Sequence, residues 1–78
     1  MTKTPSGKRQ LVVCVRNEGY EVSLERRKIY VSIDDGDAKA HRMVRVIDES
    51  GEDYLYPQRL FLPISLPLSV RRAVLTAA

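Results

Sequence analysis

The stretch that most restricts how this chain can fold is IDESGEDYLYP, Ile47 to Pro57, where an alternating apolar run ends in acids and Ser50-Gly51, then resumes as Tyr-Leu-Tyr-Pro. Glycine accepts the left-handed backbone that a short reversing loop needs, so Ser50-Gly51 between two alternating segments predicts a β-hairpin. On its first arm, RMVRVID, Val44 and Val46 share one face and Met43, Arg45 and Ile47 the other. Apolar residues on both sides predict an interior strand. On the second arm, EDYLYP, Tyr54 and Tyr56 share a face, and the sequence leaves open whether that face is buried. The flanking acids Asp48, Glu49, Glu52 and Asp53 read as a solvated turn that keeps the sheet soluble, with a site for a cation or a basic partner as the alternative.

Other segments extend the same pattern. QLVVCVR, with Leu11, Val13 and Val15 on one face, reads as a first strand. KIYVSID sets Ile29, Val31 and Ile33 against Tyr30 and Ser32 and reads as a second. Between them NEGYEVSLERR is broken by Asn17 and Gly19 into a loop, and DDGDAKAH is a second loop with a helical turn expected at Asp37 to His41. After Pro57, QRL suits one helical turn and FLPI a short fifth strand, which Pro63 restricts to a sheet edge. In LPLSVRRAVLTAA the residues Val70, Ala73, Val74 and Ala77 fall at helical spacing opposite Arg71 and Arg72, with Pro67 suited to the first turn. That helix is expected to lay its apolar stripe over one open end of the barrel, with a partner as the alternative. A chain of 78 residues holds one small domain. The expected organisation is a disordered basic arm at 1–9, a barrel at 10–66 and a C-terminal helix and tail at 67–78, in a mainly β fold of five strands.

SGEDYLYPQRLFLPI resembles the distal end of Src-homology-three (SH3) domains, where a Gly-Glu turn leads to a strand, a Pro and a one-turn helix. Gly51, Glu52, Pro57, Pro63 and Ile64 carry the likeness, and YEVSLERRKIYVSID is similar to the diverging turn and second strand of that family. The run DESGEDYLYP also resembles small uncharacterised bacterial proteins with an SH3-like barrel. The resemblance implies a five-stranded SH3-like barrel over Leu11 to Ile64. It does not extend to binding of proline-rich peptides. The chain has no tryptophan, Gln58, Arg59 and Leu60 stand where the family has Ser-Asn-Tyr, and Val12, Cys14 and Val15 replace the aromatic first-strand run.

Composition narrows the function. Apolar residues at 44% and charged residues at 29% fit an ordinary folded domain, and the apolar run Leu11 to Val15 is too short to span a membrane, so a cytoplasmic location is expected. Cys14, the single cysteine, is read as a small buried hydrophobe. His41 is read as an exposed loop residue, since Lys39 and Arg42 beside it are cations rather than orienting carboxylates. Asp34, Asp35 and Asp37 around Gly36 look like part of a calcium loop but lack its late bidentate Glu, and they are read as a solvated loop. No catalytic residue, metal or cofactor is expected. The expected function is a non-catalytic interaction or adaptor module that meets a protein partner through Tyr20, Tyr54, Tyr56 and Arg59, bordered by Glu52 and Asp53. The alternative is RNA or DNA binding by a basic face of Arg16, Arg26, Arg27, Lys28, Arg42 and Arg45, diluted by Glu18, Glu21 and Glu25.

Overall fold

A computed structural model describes residues 8 to 77, so most of the expected arm at 1–9 lies outside the described residues. Five strands follow in order: β1 (Arg9–Cys14), β2 (Ile29–Ile33), β3 (Met43–Ile47), β4 (Asp53–Pro57) and β5 (Phe61–Pro63). A short helix α1 (Gly36–Ala40) joins β2 to β3, a 3-10 turn (Gln58–Leu60) joins β4 to β5, and a helix α2 (Leu68–Thr76) ends the described chain. Every predicted strand is present, with bounds shifted by a residue or two. Arg9 already belongs to β1.

All strand pairs are antiparallel in the order β4-β3-β2-β1-β5, so β3 is an interior strand. The hairpin forms where expected: Ile47 pairs with Asp53 and Met43 with Pro57, and Gly51 takes φ 85° in the turn. The expected barrel does not. β4 and β5 are the two edges of an open sheet, with no ladder joining them. The reason is local: all three residues of β5 are spent on Val12, Val13 and Cys14 of β1. Closing a sheet needs strands long enough to tilt and pair on both sides. What completes the core instead is Leu24 from the β1–β2 loop and Leu60 from the 3-10 turn, both fully buried.

Residues directly opposite one another in an antiparallel ladder share a face. One face therefore carries Val12, Cys14, Tyr30, Val46, Tyr56 and Phe61, which with Leu24 and Leu60 form the core cluster. In β2 the alternation is as expected, and its buried side is the one with Tyr30 and Ser32. In β1 Val12 and Cys14 point to this core. Leu11 is buried on the other face, where the tail after β5 runs alongside and Ile64 N–H donates to the Leu11 carbonyl at 3.1 Å. The edge-to-face rings of Tyr56 and Phe61 (6.2 Å) and of Tyr30 and Phe61 (6.3 Å) knit the core together. Edge-to-face contact suits rings with a negative face and a positive rim.

Asp35 explains α1. Its Oδ1 accepts from the N–H groups of Asp37 and Ala38, the donors a helix start leaves unsatisfied, and its Oδ2 accepts from Arg45 Nε at 2.9 Å. The helical turn expected at Asp37 to His41 is this element. The expectation that the C-terminal helix covers an open end of the barrel is overturned with the barrel itself. No residue of α2 is buried, Leu68 and Val70 are exposed, and its tie to the sheet is a hydrogen bond from Arg71 Nη2 to the Arg9 carbonyl. Pro63 and Pro67 bracket the segment that leads from β5 to α2.

Candidate functional site

Tyr20, Tyr54 and Tyr56 come together. With Ser23, Asp48, Ser50 and Leu55 they line an open cleft of about 380 Å³ beside the β3–β4 turn. Tyr54 and Tyr56 share a face of β4, yet their environments differ: Tyr56 is 4% exposed and Tyr54 is 50% exposed. Tyr56 lies under the loop that carries Tyr20, whose ring stands edge-to-face against it at 5.3 Å. Tyr54 lies nearer the turn, where nothing folds over it. One tyrosine completes the core, and the other stands half exposed at the turn.

The cleft is built on Asp48. The β1–β2 loop brings Tyr20 there through a tight succession of bonds: Tyr20 N–H donates to the Asn17 carbonyl, and Leu24 N–H donates to the Tyr20 carbonyl. Asn17 Nδ2 donates to the Leu24 carbonyl at 3.0 Å. On the turn side, Asp48 Oδ1 accepts from both the N–H and the hydroxyl of Ser50, and Oδ2 accepts from the Tyr56 hydroxyl. Burial works to raise the Asp48 carboxyl, but these bonds outweigh it and hold its pKa below the ordinary carboxylate value. Burial, reinforced by the Asp48 carboxylate, pushes the Tyr56 hydroxyl up to about 12. The acids of the turn are thus not a solvated block. Asp48 is buried, Glu49 accepts from Lys28 Nζ at 2.8 Å and from the Tyr30 hydroxyl at 2.6 Å, and Asp53 pairs with Arg45 at 2.9 Å.

Of the other residues expected at the site, Glu52 borders the cleft and accepts from the Tyr54 hydroxyl at 3.0 Å. Asp53 belongs to the opposite face of β4, against Arg45, and Arg59 stands exposed on the 3-10 turn without lining the cleft. Sequence reasoning missed Asp48 as an organiser. The signal was present, because an Asp two residues before a Ser in a Gly turn is placed to accept that residue's backbone N–H. Leu24 was also missed, since one apolar residue in a polar loop carries no periodicity.

The groups considered for chemistry are dispersed. Cys14 is fully buried, burial pushes its thiol up, and Sγ donates to the Arg16 carbonyl at 3.2 Å. His41 is exposed at the end of α1, with Nδ1 2.8 Å from the Asp37 carbonyl. Among the described residues no group of three or more His, Cys, Asp or Glu side chains is arranged to hold a metal ion, and no helix is long and apolar enough to cross a membrane. Half of the expected basic face is engaged with carboxylates: Arg16 with Glu18, Lys28 with Glu49 and Glu25, and Arg45 with Asp35 and Asp53.

No family model matches the chain, and the comparisons with curated proteins and with solved structures found no match. The resemblance to SH3 domains is corrected accordingly: the hairpin and following turn are there, but they belong to an open five-stranded sheet. A short turn-strand-turn run recurs in any meander with a tight hairpin and a Pro-terminated strand, which is why the likeness did not carry the barrel with it.

Proposed function

We propose that the chain is a non-catalytic interaction module that docks a protein partner in the cleft between Tyr20 and Tyr54, over the floor made by Tyr56. The observation that supports this reading most is the contrast within β4, where Tyr56 is locked by Asp48 while Tyr54 stands half exposed beside it. A rigid floor with a free aromatic wall suits an interface anchor, because a tyrosine offers large contact area at little conformational cost. Leu55 adds an apolar side chain to the cleft lining, and Val22, on the same loop as Tyr20, is 97% exposed. Glu52 supplies a polar rim.

The test is affinity capture from the native host with the wild type, Tyr54→Ala and Tyr20→Ala, each checked for folding by circular dichroism. Loss of one tyrosine anchor costs about 2 kcal/mol, so a specific partner should fall out of both variants. A partner recovered equally by wild type and Tyr54→Ala rejects the cleft. The nucleic-acid reading has narrower support, resting on Arg26, Arg27 and Arg42, which form no ion pair among the described residues. It requires binding that collapses steeply with added salt as counterions are released, whereas docking on tyrosines is only weakly salt-dependent.

A further inference from the structure

The free edge of β4 is also a self-complementary surface. At one end of the β3–β4 ladder Asp48 N–H donates to the Glu52 carbonyl, and at the other Gln58 N–H donates to the Arg42 carbonyl. Bonded and non-bonded pairs alternate along an antiparallel ladder, so Tyr54 and Tyr56 turn their backbone groups toward β3. Asp53, Leu55 and Pro57 turn theirs outward. Neither the Asp53 nor the Leu55 N–H has a hydrogen-bond partner among the described residues outside the strand ladders. Pro57, which has no N–H, occupies an outward position where none is needed for the ladder. Exposed edges are normally blunted by charged residues, a proline, a bulge or a covering loop. On β4 these devices sit at the two ends, Asp53, whose charge is paired with Arg45, and Pro57, while Leu55 at the centre is 45% exposed.

We propose that this edge pairs antiparallel with β4 of a second copy of the chain, about a two-fold axis at Leu55, joining the two sheets into one. In that register each Leu55 exchanges N–H and C=O with its counterpart, and each Asp53 N–H meets the Pro57 carbonyl of the other copy. Both outward donors are then used, and the donor that Pro57 lacks is the one the pairing leaves out. A centre at Asp53 instead opposes two carboxylates, and a centre at Pro57 places two residues without a donor face to face. The charges at the two ends of the ladder are compatible with it. Arg59 has no ion pair in its own chain among the described residues, and the Leu55 register brings the 3-10 turn that carries it to the end of the ladder where the acidic turn of the second copy begins. The pairing is made by backbone groups and goes beyond the tyrosine cleft; Leu55 also lines that cleft, so N-methylation, which keeps its side chain, is the variant that separates the two.

Sedimentation velocity over a concentration series, with hydrogen exchange read at the Leu55 amide, tests it. The wild type should pass from one chain to two as concentration rises, with the Leu55 amide becoming protected in step. Leu55→Lys places two cations against each other at the axis without touching the core. It should weaken association at least tenfold while the circular dichroism spectrum is unchanged. Backbone N-methylation at Leu55 removes the donor with the side chain intact and should do the same. A wild type that stays monomeric throughout overturns the proposal. So does a dimer whose Leu55 amide exchanges freely, which would place the contact elsewhere, or a dimer that Leu55→Lys leaves intact.

Discussion

At the residue scale the controlling group is the Asp48 carboxylate, buried and shared between a turn and a ring. Removing one partner of a buried hydrogen bond costs more than the bond contributes, because the other is left without water or protein to bond to. Asp48→Ala should therefore destabilise the fold by about 1 to 3 kcal/mol in urea denaturation, and Tyr56→Phe by less, since Ser50 still satisfies the carboxylate. The same contacts fix the pH dependence. The pKa values of Asp48 and Glu49 are lower folded than unfolded, so their contribution is fully present above the unfolded carboxylate values, near about pH 4. It is lost as pH falls through the lowered folded values. Urea midpoints should hold down to about pH 4 to 5 and then drop, and Asp48→Asn should flatten that acid limb. At the alkaline end the sign reverses: the Tyr56 hydroxyl, raised to about 12, favours the folded state until pH passes the unfolded tyrosine value, and stability then declines toward pH 12.

At the scale of elements, two arginines occupy backbone positions better suited to glycine. Arg27 takes φ 71° in the turn leading into β2, and Arg42 takes φ 57° just after the α1 cap at His41, where Arg42 N–H donates to the Lys39 carbonyl. A left-handed residue after a helix end is usually glycine, because a Cβ there crowds the next carbonyl. Arg42→Gly should raise stability by about 0.5 to 1 kcal/mol, readable as a shift in the urea midpoint at constant slope. An unchanged midpoint would mean that the Arg42 side chain contributes as much as its backbone strain costs. The strands were legible in sequence because period-two alternation and the Gly51 turn act within a few residues, as Ile29 to Ile33 and the β3–β4 hairpin show. The polarity of the faces was not. Tyr30 turns inward because its hydroxyl finds Glu49, from a different part of the chain, and the Glu25 N–H, and no periodicity records that pairing. Likewise Asp48 is an acid among acids in sequence, and only the turn folds it beneath Tyr56.

At the scale of the whole molecule, openness follows from how few residues bridge the last two elements to the sheet. β5 has three residues and gives them all to β1, and α2 reaches the sheet without burying a residue. The face around Leu11 is covered instead by the tail before the helix: Ile64 bonds the Leu11 carbonyl, and Ile64 and Leu66 are both half-buried. If α2 only abuts the sheet, a chain ending at Pro67 should still unfold in one cooperative step. The expected loss is about 1 kcal/mol, corresponding to the hydrogen bond from Arg71 to the Arg9 carbonyl. The denaturant slope should barely change, because that slope follows the surface exposed on unfolding and α2 covers little. A chain ending at Pro63 differs, since it strips Leu11 of Ile64 and Leu66, and it should fall further, by about 2 to 3 kcal/mol. Were the first truncation to abolish cooperative unfolding, α2 would be a structural wall of the domain, and the sheet could not stand open beside it.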